Sequence, residues 1–160
     1  MKRSHMLIAV LVPALVIAIA APMALASGGG SGRQLPFNLP SLAAGMKGAN
    51  ENPPADLDAA GYAVVDVHIL QGEVCVEDFA VGGAAPLILF HIHKGGPTEN
   101  GPVVVNFVPL LPSGIGCVPV TDRALLRDIE LHPGDYYVNA HTGEFPAGAL
   151  RGQLVRTLPF

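Results

Sequence analysis

The chain has 160 residues, of which 50% are hydrophobic and only 14% are charged. Most of the apolar excess lies in residues 6–26, which carry no charge, follow Lys2 and Arg3, and end in a small-x-small sequence. A basic start, an apolar run and a small-residue exit together predict a secretory signal peptide over residues 1–26. The alternative is an uncleaved N-terminal anchor, because the run is long enough to span a membrane.

The charge balance excludes several classes of partner. Removing 26 of the 160 residues would leave 134, and losing Lys2 and Arg3 would take the net charge from −4 to −6. Nucleic acid is not an expected partner, because a phosphate backbone is bound by clustered Lys and Arg. The same acidic balance argues against a polybasic membrane-surface role, and no membrane span is expected after cleavage.

The rest of the chain predicts one all-β domain. Residues 27–41 are rich in Gly, Ser and Pro and predict a flexible leader, and residues 42–160 form the predicted domain. Short apolar runs separated by Gly, Pro and Asn predict an antiparallel β-sandwich or barrel. The predicted strands are residues 61–70, 73–81, 87–93, 103–108, 136–141 and 149–155.

Two segments have a clear periodicity. In residues 61–70, Ala63, Val65, Val67 and Ile69 share one face, which predicts a strand with that face buried. Residues 122–130 instead have apolar side chains at helical spacing. They predict a two-turn helix that Thr121 or Asp122 caps and that the sequence His-Pro-Gly at 132–134 ends.

The two cysteines, Cys75 and Cys117, both lie in the part predicted to be exported. An even number of cysteines in an oxidising compartment indicates a disulfide, which would close a loop of about 42 residues. A thiolate metal site is the alternative, although neither cysteine belongs to a CxxC pair.

His91 and His93 form an HxH sequence at the end of a predicted strand. Residues i and i+2 of a strand share a face, so the two imidazoles would point together while Ile88, Phe90 and Ile92 point to the core. Imidazole pairs bind copper, zinc, iron or nickel. Exposed polar surface is the competing interpretation of this pair.

Three other residues could complete such a site. His141 ends the strand predicted at residues 136–141, and it could join the HxH pair if the two strands are neighbours. His68, on the polar face of its strand, is a fourth candidate ligand. Arg151 follows His141 by ten residues, enough for the chain to turn back alongside it and attract a small anion. The alternative for Arg151 is an ordinary ion pair with a carboxylate.

Three spaced motifs resemble the CHRD domain, the module named after chordin. They are the sequence NENPP at residues 50–54, HIHKG at residues 91–95 with NGPVV at residues 100–104, and YVNAHT at residues 137–142 with LRGQL at residues 150–154. The resemblance covers residues 42–156 and implies an extracellular module. Ala149 departs from the pattern, which more often has an acidic residue there, and the cysteine pair is not part of it.

The same pattern more distantly resembles copper-zinc superoxide dismutase, which implies a Greek-key β-sandwich. In that comparison His91 and His93 match the HxH ligands, His141 the late ligand and Arg151 the residue that guides superoxide. No segment matches the dismutase zinc loop, so the resemblance implies copper without zinc.

Two functional hypotheses follow. In the first, an exported metalloprotein binds copper through His91, His93 and His141, with His68 as a further ligand, and dismutates superoxide with Arg151 drawing in the anion. In the second, a non-catalytic extracellular module binds a protein or glycan. The histidines then order loops through hydrogen bonds, and Asn139 and Arg151 hold the end of the sandwich together. The distance between the imidazoles separates the two hypotheses.

Overall fold

A computed structural model describes residues 41–157 of the chain. The predicted signal peptide and residues 27–40 of the predicted leader lie outside this range. The described residues contain one α-helix, α1 (Arg123–Leu131), and three short 3₁₀ turns. The nine strands are β1 (Leu42–Lys47), β2 (Ala60–His68), β3 (Glu73–Gly82), β4 (Leu87–Lys94), β5 (Val103–Asn106), β6 (Gly116–Pro119), β7 (Tyr136–Thr142), β8 (Leu150–Gln153) and β9 (Val155–Arg156).

The nine strands form one antiparallel, nearly closed, barrel-like sheet. Its order is β5-β4-β7-β8-β1-β2-β3-β6, and β9 pairs with β1 beyond the end of β8. β3 pairs with β6 and β4 pairs with β7, so the chain crosses between strands that are distant in sequence. The prediction of an all-β antiparallel fold with one short helix is therefore confirmed.

β2 shows why alternating sequence becomes a two-sided strand. Ala63, Val65 and Val67 are buried, while Tyr62 and Asp66 on the other face are partly or largely exposed. Successive side chains of a strand point to opposite faces, so the apolar set joins the core and the polar set faces outwards. The face predicted to be buried is the buried face.

The strand β4 departs from its prediction at one position. Phe90 and Ile92 are fully buried as expected, but Ile88 is 49% exposed. The pairing with β7 shifts register between Leu87 and Leu89, which indicates a β-bulge there. A bulge inserts an extra residue and reverses the alternation, so Ile88 points away from the core.

The structure also corrects several strand bounds. β1 and β6 were not predicted, the strand predicted at residues 103–108 ends at Asn106, and the one predicted at residues 149–155 is interrupted at Leu154. β1 contains Gly45 directly after two alanines, and β6 has only four residues and ends in Pro119. Gly and Pro lower the intrinsic preference of a segment for the strand conformation, so these two strands depend on pairing with their neighbours in the sheet.

The predicted helix is present and shifted by one residue. The Asp122 side chain caps it by accepting hydrogen bonds from the backbone amides of Ala124 and Leu125, at 2.9 and 3.0 Å. Leu126 and Ile129 are fully buried, so the helix packs its apolar face against the barrel. In residues 41–157, no helix has the length and apolar character needed to cross a membrane.

Candidate metal centre

β4 and β7 are neighbours and bring three histidines to one face of the sheet. Leu89 pairs with His141 and His91 pairs with Asn139, so His141 lies diagonally across from His91. His93 follows His91 by two residues and therefore points to the same face. A three-histidine site requires these two strands to be adjacent in the sheet, and the register shows that they are.

The three imidazoles are close together and buried. His91, His93 and His141 are 8%, 9% and 6% exposed. Their ring centroids lie 5.4 to 6.2 Å apart, and one ring nitrogen from each lies within 4.8 Å of the others. This separation lets three nitrogens reach one ion with small rotations of the rings, since metal–nitrogen bonds are about 2.0–2.1 Å long.

Hydrogen bonds fix the orientation of two of the rings. His93 Nδ1 donates to the carbonyl of Gly101 at 2.9 Å, and His141 Nδ1 donates to the carbonyl of Pro146 at 3.1 Å. A carbonyl oxygen can only accept, so in each neutral ring the proton lies on Nδ1 and the lone pair on Nε2. Such bonds are typical of the outer shell around histidine metal ligands.

One nitrogen of each ring is buried without a hydrogen-bond partner. These atoms are Nδ1 of His91 and Nε2 of His93 and His141. Buried polar atoms in folded proteins are nearly always paired, and leaving one unpaired costs about 1–3 kcal/mol. Three unpaired nitrogens in one cluster are therefore an arrangement that a bound cation would relieve.

The environment keeps these rings neutral. Burial, together with the nearby His141 and His93 rings, lowers the pKa of His91 to about 4. Burial also lowers the pKa of His93 and of His141, although the carbonyls that accept from them oppose the change. A neutral imidazole has the lone pair that a metal needs, so ligand-competent histidines persist well into the acidic range.

A layer of planar groups lies beside His93. The Tyr137 ring stacks on His93 with centroids 4.9 Å apart and planes 11° apart, and the Arg151 guanidinium carbon lies 3.4 Å from the Tyr137 ring centroid. β4 and β8 flank β7 on opposite sides, so Tyr137 separates Arg151 from the histidines. The Tyr137 hydroxyl also accepts from the backbone amide of Gly101, at 3.2 Å.

Arg151 is 1% exposed and binds residues 95–102, the covering loop that joins β4 to β5. Its guanidinium donates to the carbonyls of Gly96 and Glu99, at 2.9 and 3.0 Å, and to Asn100 Oδ1 at 3.3 Å. The same loop supplies the Gly101 carbonyl. The structure therefore places Arg151 near the histidines, as its spacing predicts, but turned towards backbone carbonyls inside the protein.

The covering loop is also joined to the segment that follows β1. Asn52 Nδ2 donates to the carbonyl of Thr98 at 2.6 Å, and Asn100 Nδ2 donates to the carbonyl of Asn52 at 2.7 Å. Gly101 must be glycine at this point, because a Cβ there would lie 1.5 Å from the Lys94 carbonyl. These contacts hold the loop in one position above His93.

Glu51 is a buried site residue that the sequence reasoning did not single out. Its side chain packs against Gly148, where a Cβ would lie 2.8 Å from the carboxylate, and Oε1 has no hydrogen-bond partner. Burial raises the pKa of Glu51 to about 7, against the opposing charge of Arg151. Its place in the NENPP motif was the available signal. Glu51 lines a cleft of about 390 Å³ with Asn50, Asn52, Thr98, Arg151 and Gln153.

The structure places His68 in a different cluster. His68 lies on β2, and its Nδ1 is 3.2 Å from Glu73 Oε1 and 3.5 Å from Cys75 Sγ. It is not among the three histidines that group on β4 and β7. Cys75 forms a disulfide with Cys117, so the predicted pairing is confirmed.

Comparison with known proteins identifies one relationship. A family model described as the CHRD domain matches residues 42–154, which include all three histidines and Arg151. No curated protein matches the chain, and no solved structure matches it.

Proposed function

The chain belongs to the CHRD-domain family, and we propose that this member is an exported module that binds one copper ion through His91, His93 and His141. CHRD domains are extracellular binding modules, and the disulfide agrees with an oxidising compartment. Metal binding would be the particular property of this chain's histidine cluster.

One observation carries the proposal. Each of the three clustered histidines has one buried ring nitrogen with no hydrogen-bond partner, and the cluster offers one nitrogen from each ring within 4.8 Å of the others. If the histidines only held loops in place, the bonds from His93 to Gly101 and from His141 to Pro146 would be enough for that role. The buried nitrogens on the other side of the rings would then be expected to have hydrogen-bond partners, and they have none. Three protein ligands also leave a coordination position open, as in reactive rather than structural sites.

The donor set favours copper over other divalent ions. Neutral imidazoles suit copper, zinc and nickel, and affinity at a given nitrogen site rises to Cu²⁺ and falls again at Zn²⁺. Bound copper would supply one-electron chemistry between Cu(II) and Cu(I), and superoxide dismutation is the reaction that we propose for it. The protein's part is to hold the three rings, exclude bulk water from them and keep them neutral.

In this proposal Arg151 acts on the site without reaching the surface. Its positive charge lies behind Tyr137, where it adds a favourable potential for a small anion against the acidic net charge of the chain. Its bonds to Gly96 and Glu99 hold the loop whose Gly101 carbonyl orients His93. A positioning role and an electrostatic role therefore coincide in one side chain.

The cleft beside Arg151 favours a second candidate function, binding of a protein or glycan partner without catalysis. Six of its nine lining residues have polar side chains, and Glu51 Oε1 is buried there with no hydrogen-bond partner. A ligand rich in hydroxyl or amide donors would fit such a lining. This function does not require the histidines to bind metal.

Copper titration of the purified protein tests the first proposal. We expect one equivalent of Cu(II) to bind with a nitrogen-coordinated electron paramagnetic resonance spectrum, and His91→Ala with His141→Ala to abolish it. His132→Ala is the matched control, because His132 is exposed and bonded to Asp128 away from the cluster. Equal affinity in the double variant would refute the site. The rate of superoxide dismutation is then measured for the copper-loaded protein. A rate no higher than that of the metal-free protein would refute the catalytic part of the proposal and keep the metal site.

A further inference from the structure

The disulfide between β3 and β6 is asymmetric in its exposure to solvent. Cys75 and Cys117 lie directly opposite each other in the β3–β6 register. Cys75 is 1% exposed, whereas Cys117 is exposed and lies on the short strand at the end of the sheet. Solvent therefore reaches residue Cys117, whereas Cys75 is covered.

The buried sulfur has an imidazole beside it. His68 Nδ1 lies 3.5 Å from Cys75 Sγ and 3.2 Å from Glu73 Oε1. A carboxylate can only accept, so Nδ1 carries a proton, which faces both the carboxylate and the sulfur. Asp66, paired with Cys75 across β2 and β3, is a further charged side chain on this face, and its Oδ1 has no hydrogen-bond partner. Asp78 lies further along β3 on the same face and accepts from the Tyr62 hydroxyl.

We propose that Cys75–Cys117 is a thiol–disulfide exchange site for low-molecular-weight thiols, in which Cys117 is attacked and Cys75 is the leaving group. The two roles follow from the positions of the sulfurs. Exchange rates depend on access to the attacked sulfur and on how well the departing thiolate is stabilised. Cys117 has the access, and Cys75 has the proton donor.

The step balances in atoms and electrons. The external thiolate attacks Cys117 Sγ and forms a new S–S bond, while the bond between Cys117 and Cys75 breaks and its electron pair goes to Cys75 Sγ. In the proposed step the ring reacts with a proton on each nitrogen: the Nδ1 proton goes to that sulfur and leaves a neutral imidazole, which then takes up from the solvent the proton released when the external thiol ionised. The products are a mixed disulfide on Cys117 and a free thiol on Cys75. A second external thiol, or Cys75 itself, can resolve the mixed disulfide.

This site is separate from the proposed copper site and does not depend on it. His68 belongs to the β2–β3 cluster, and its sulfur partner is bonded in the oxidised protein. His68 therefore acts on a sulfur, which accounts for a histidine that the β4–β7 cluster leaves out. Its role is that of a proton donor to the reacting atom.

The test incubates the purified protein with reduced glutathione, quenches with N-ethylmaleimide and maps both cysteines by mass spectrometry. The expected product carries glutathione on Cys117 and maleimide on Cys75. Glutathione on Cys75 instead, or no adduct under conditions that reduce an exposed model disulfide, would overturn the proposal. This test uses the wild-type protein, so its outcome does not depend on whether a variant folds.

A variant then tests the role of the imidazole. His68→Gln should slow adduct formation at least tenfold at fixed thiolate concentration, because the departing sulfur loses its proton donor. His132→Gln is the control, because it removes an exposed histidine outside the disulfide's cluster and should leave the rate unchanged. An unchanged rate in folded His68→Gln, checked by circular dichroism, would overturn the role of His68.

Discussion

The two histidine clusters of this domain have similar residues and different chemistry. In the β4–β7 cluster the rings of His91, His93 and His141 are at most 9% exposed, and each has a buried nitrogen with no partner. In the β2–β3 cluster the His68 side chain is 34% exposed, and its Nδ1 already has a carboxylate and a sulfur beside it. Proximity of donor groups is common to both, whereas buried ring nitrogens without a partner occur in only one. The second property is the one that indicates a place for a cation.

The largest expected effect comes from breaking the support of the buried cluster at Arg151. Arg151→Ala removes three hydrogen bonds to the covering loop and the contact with Tyr137, leaving buried acceptors unpaired. We expect a loss of about 4 kcal/mol in the free energy of unfolding, because bonds to a charged group contribute about 1.5–3 kcal/mol each and do not add fully. Urea denaturation measures it.

The conservative variant shows whether geometry or charge matters at this position. Arg151→Lys keeps the charge but loses the planar fork, so it should recover only part of the stability. Copper affinity should fall about tenfold in both variants if the loop orients His93, as expected for an outer-shell residue. Unchanged copper affinity in a folded Arg151→Lys protein would contradict that role.

Metal addition should separate the two clusters directly. At free Cu(II) a hundredfold above the dissociation constant, binding to the native state alone would raise its stability by about 2.7 kcal/mol. The increase in melting temperature should vanish in His91→Ala with His141→Ala and remain in His68→Ala. If the increase in melting temperature vanished in His68→Ala instead, the metal would bind at the β2–β3 cluster and our proposal would be wrong.

Glu51 offers a test of an unpartnered atom that does not belong to either histidine cluster. Its pKa is raised from 4.5 to about 7 in the folded state, so folding favours the protonated carboxyl. The stability it contributes is fully present below pH 4.5 and is lost as the pH rises through 7. Relative to Glu51→Gln, the wild-type protein should therefore lose stability between pH 5 and pH 7.5, on the order of 1–2 kcal/mol, because solvent screening of a carboxyl that lines a cleft reduces the roughly 2.4 kcal/mol that the full shift would give.

Chemical denaturation of both proteins across that pH range gives the difference. The comparison with Glu51→Gln removes the contribution of every other titrating group, since those are common to both proteins. A difference that does not change with pH would mean that the carboxyl is ionised in the folded protein at all these values.

The smallest effect is expected for the polar contact of the half-exposed cluster. His68→Gln should change the free energy of unfolding by less than about 1 kcal/mol, because ion pairs at this exposure contribute little. His91→Gln should be compared in the same denaturation series. A loss for His68→Gln that exceeded the loss for His91→Gln would reverse the comparison between the two clusters.

The sequence predicted the parts of this fold that depend on local periodicity. The alternation in β2 and the helical spacing after Asp122 both correspond to real elements, because side-chain direction follows directly from backbone geometry. β1 and β6 lack that periodicity and exist because they pair with strands elsewhere in the sheet. The bulge that exposes Ile88 is likewise a property of the pairing with β7.

The candidate site divides in the same way. The HxH spacing correctly indicated that His91 and His93 share a face, but it carried no information about which strand lies next to them. The pairing of β4 with β7 passes over β5, β6 and the helix, and no local pattern encodes it. His68 and His91 both lie in predicted strands, and only the order of the strands in the sheet shows that they belong to different clusters. The direction of the Arg151 guanidinium depends on a loop conformation that spacing cannot give.

The hydrogen bonds that Asn52 and Asn100 make between their segments bear on how the site is assembled. They join parts of the chain that are 46 and 48 residues apart, and Arg151 joins the same loop to a segment more than 50 residues further on. Closing loops of that length costs chain entropy before any contact is gained, so contacts of this kind form late in folding. The cluster above β4 and β7 should consequently exist only in the complete domain. An isolated β4–β5 hairpin would contain two of the histidines and yet bind copper as weakly as any flexible HxH peptide.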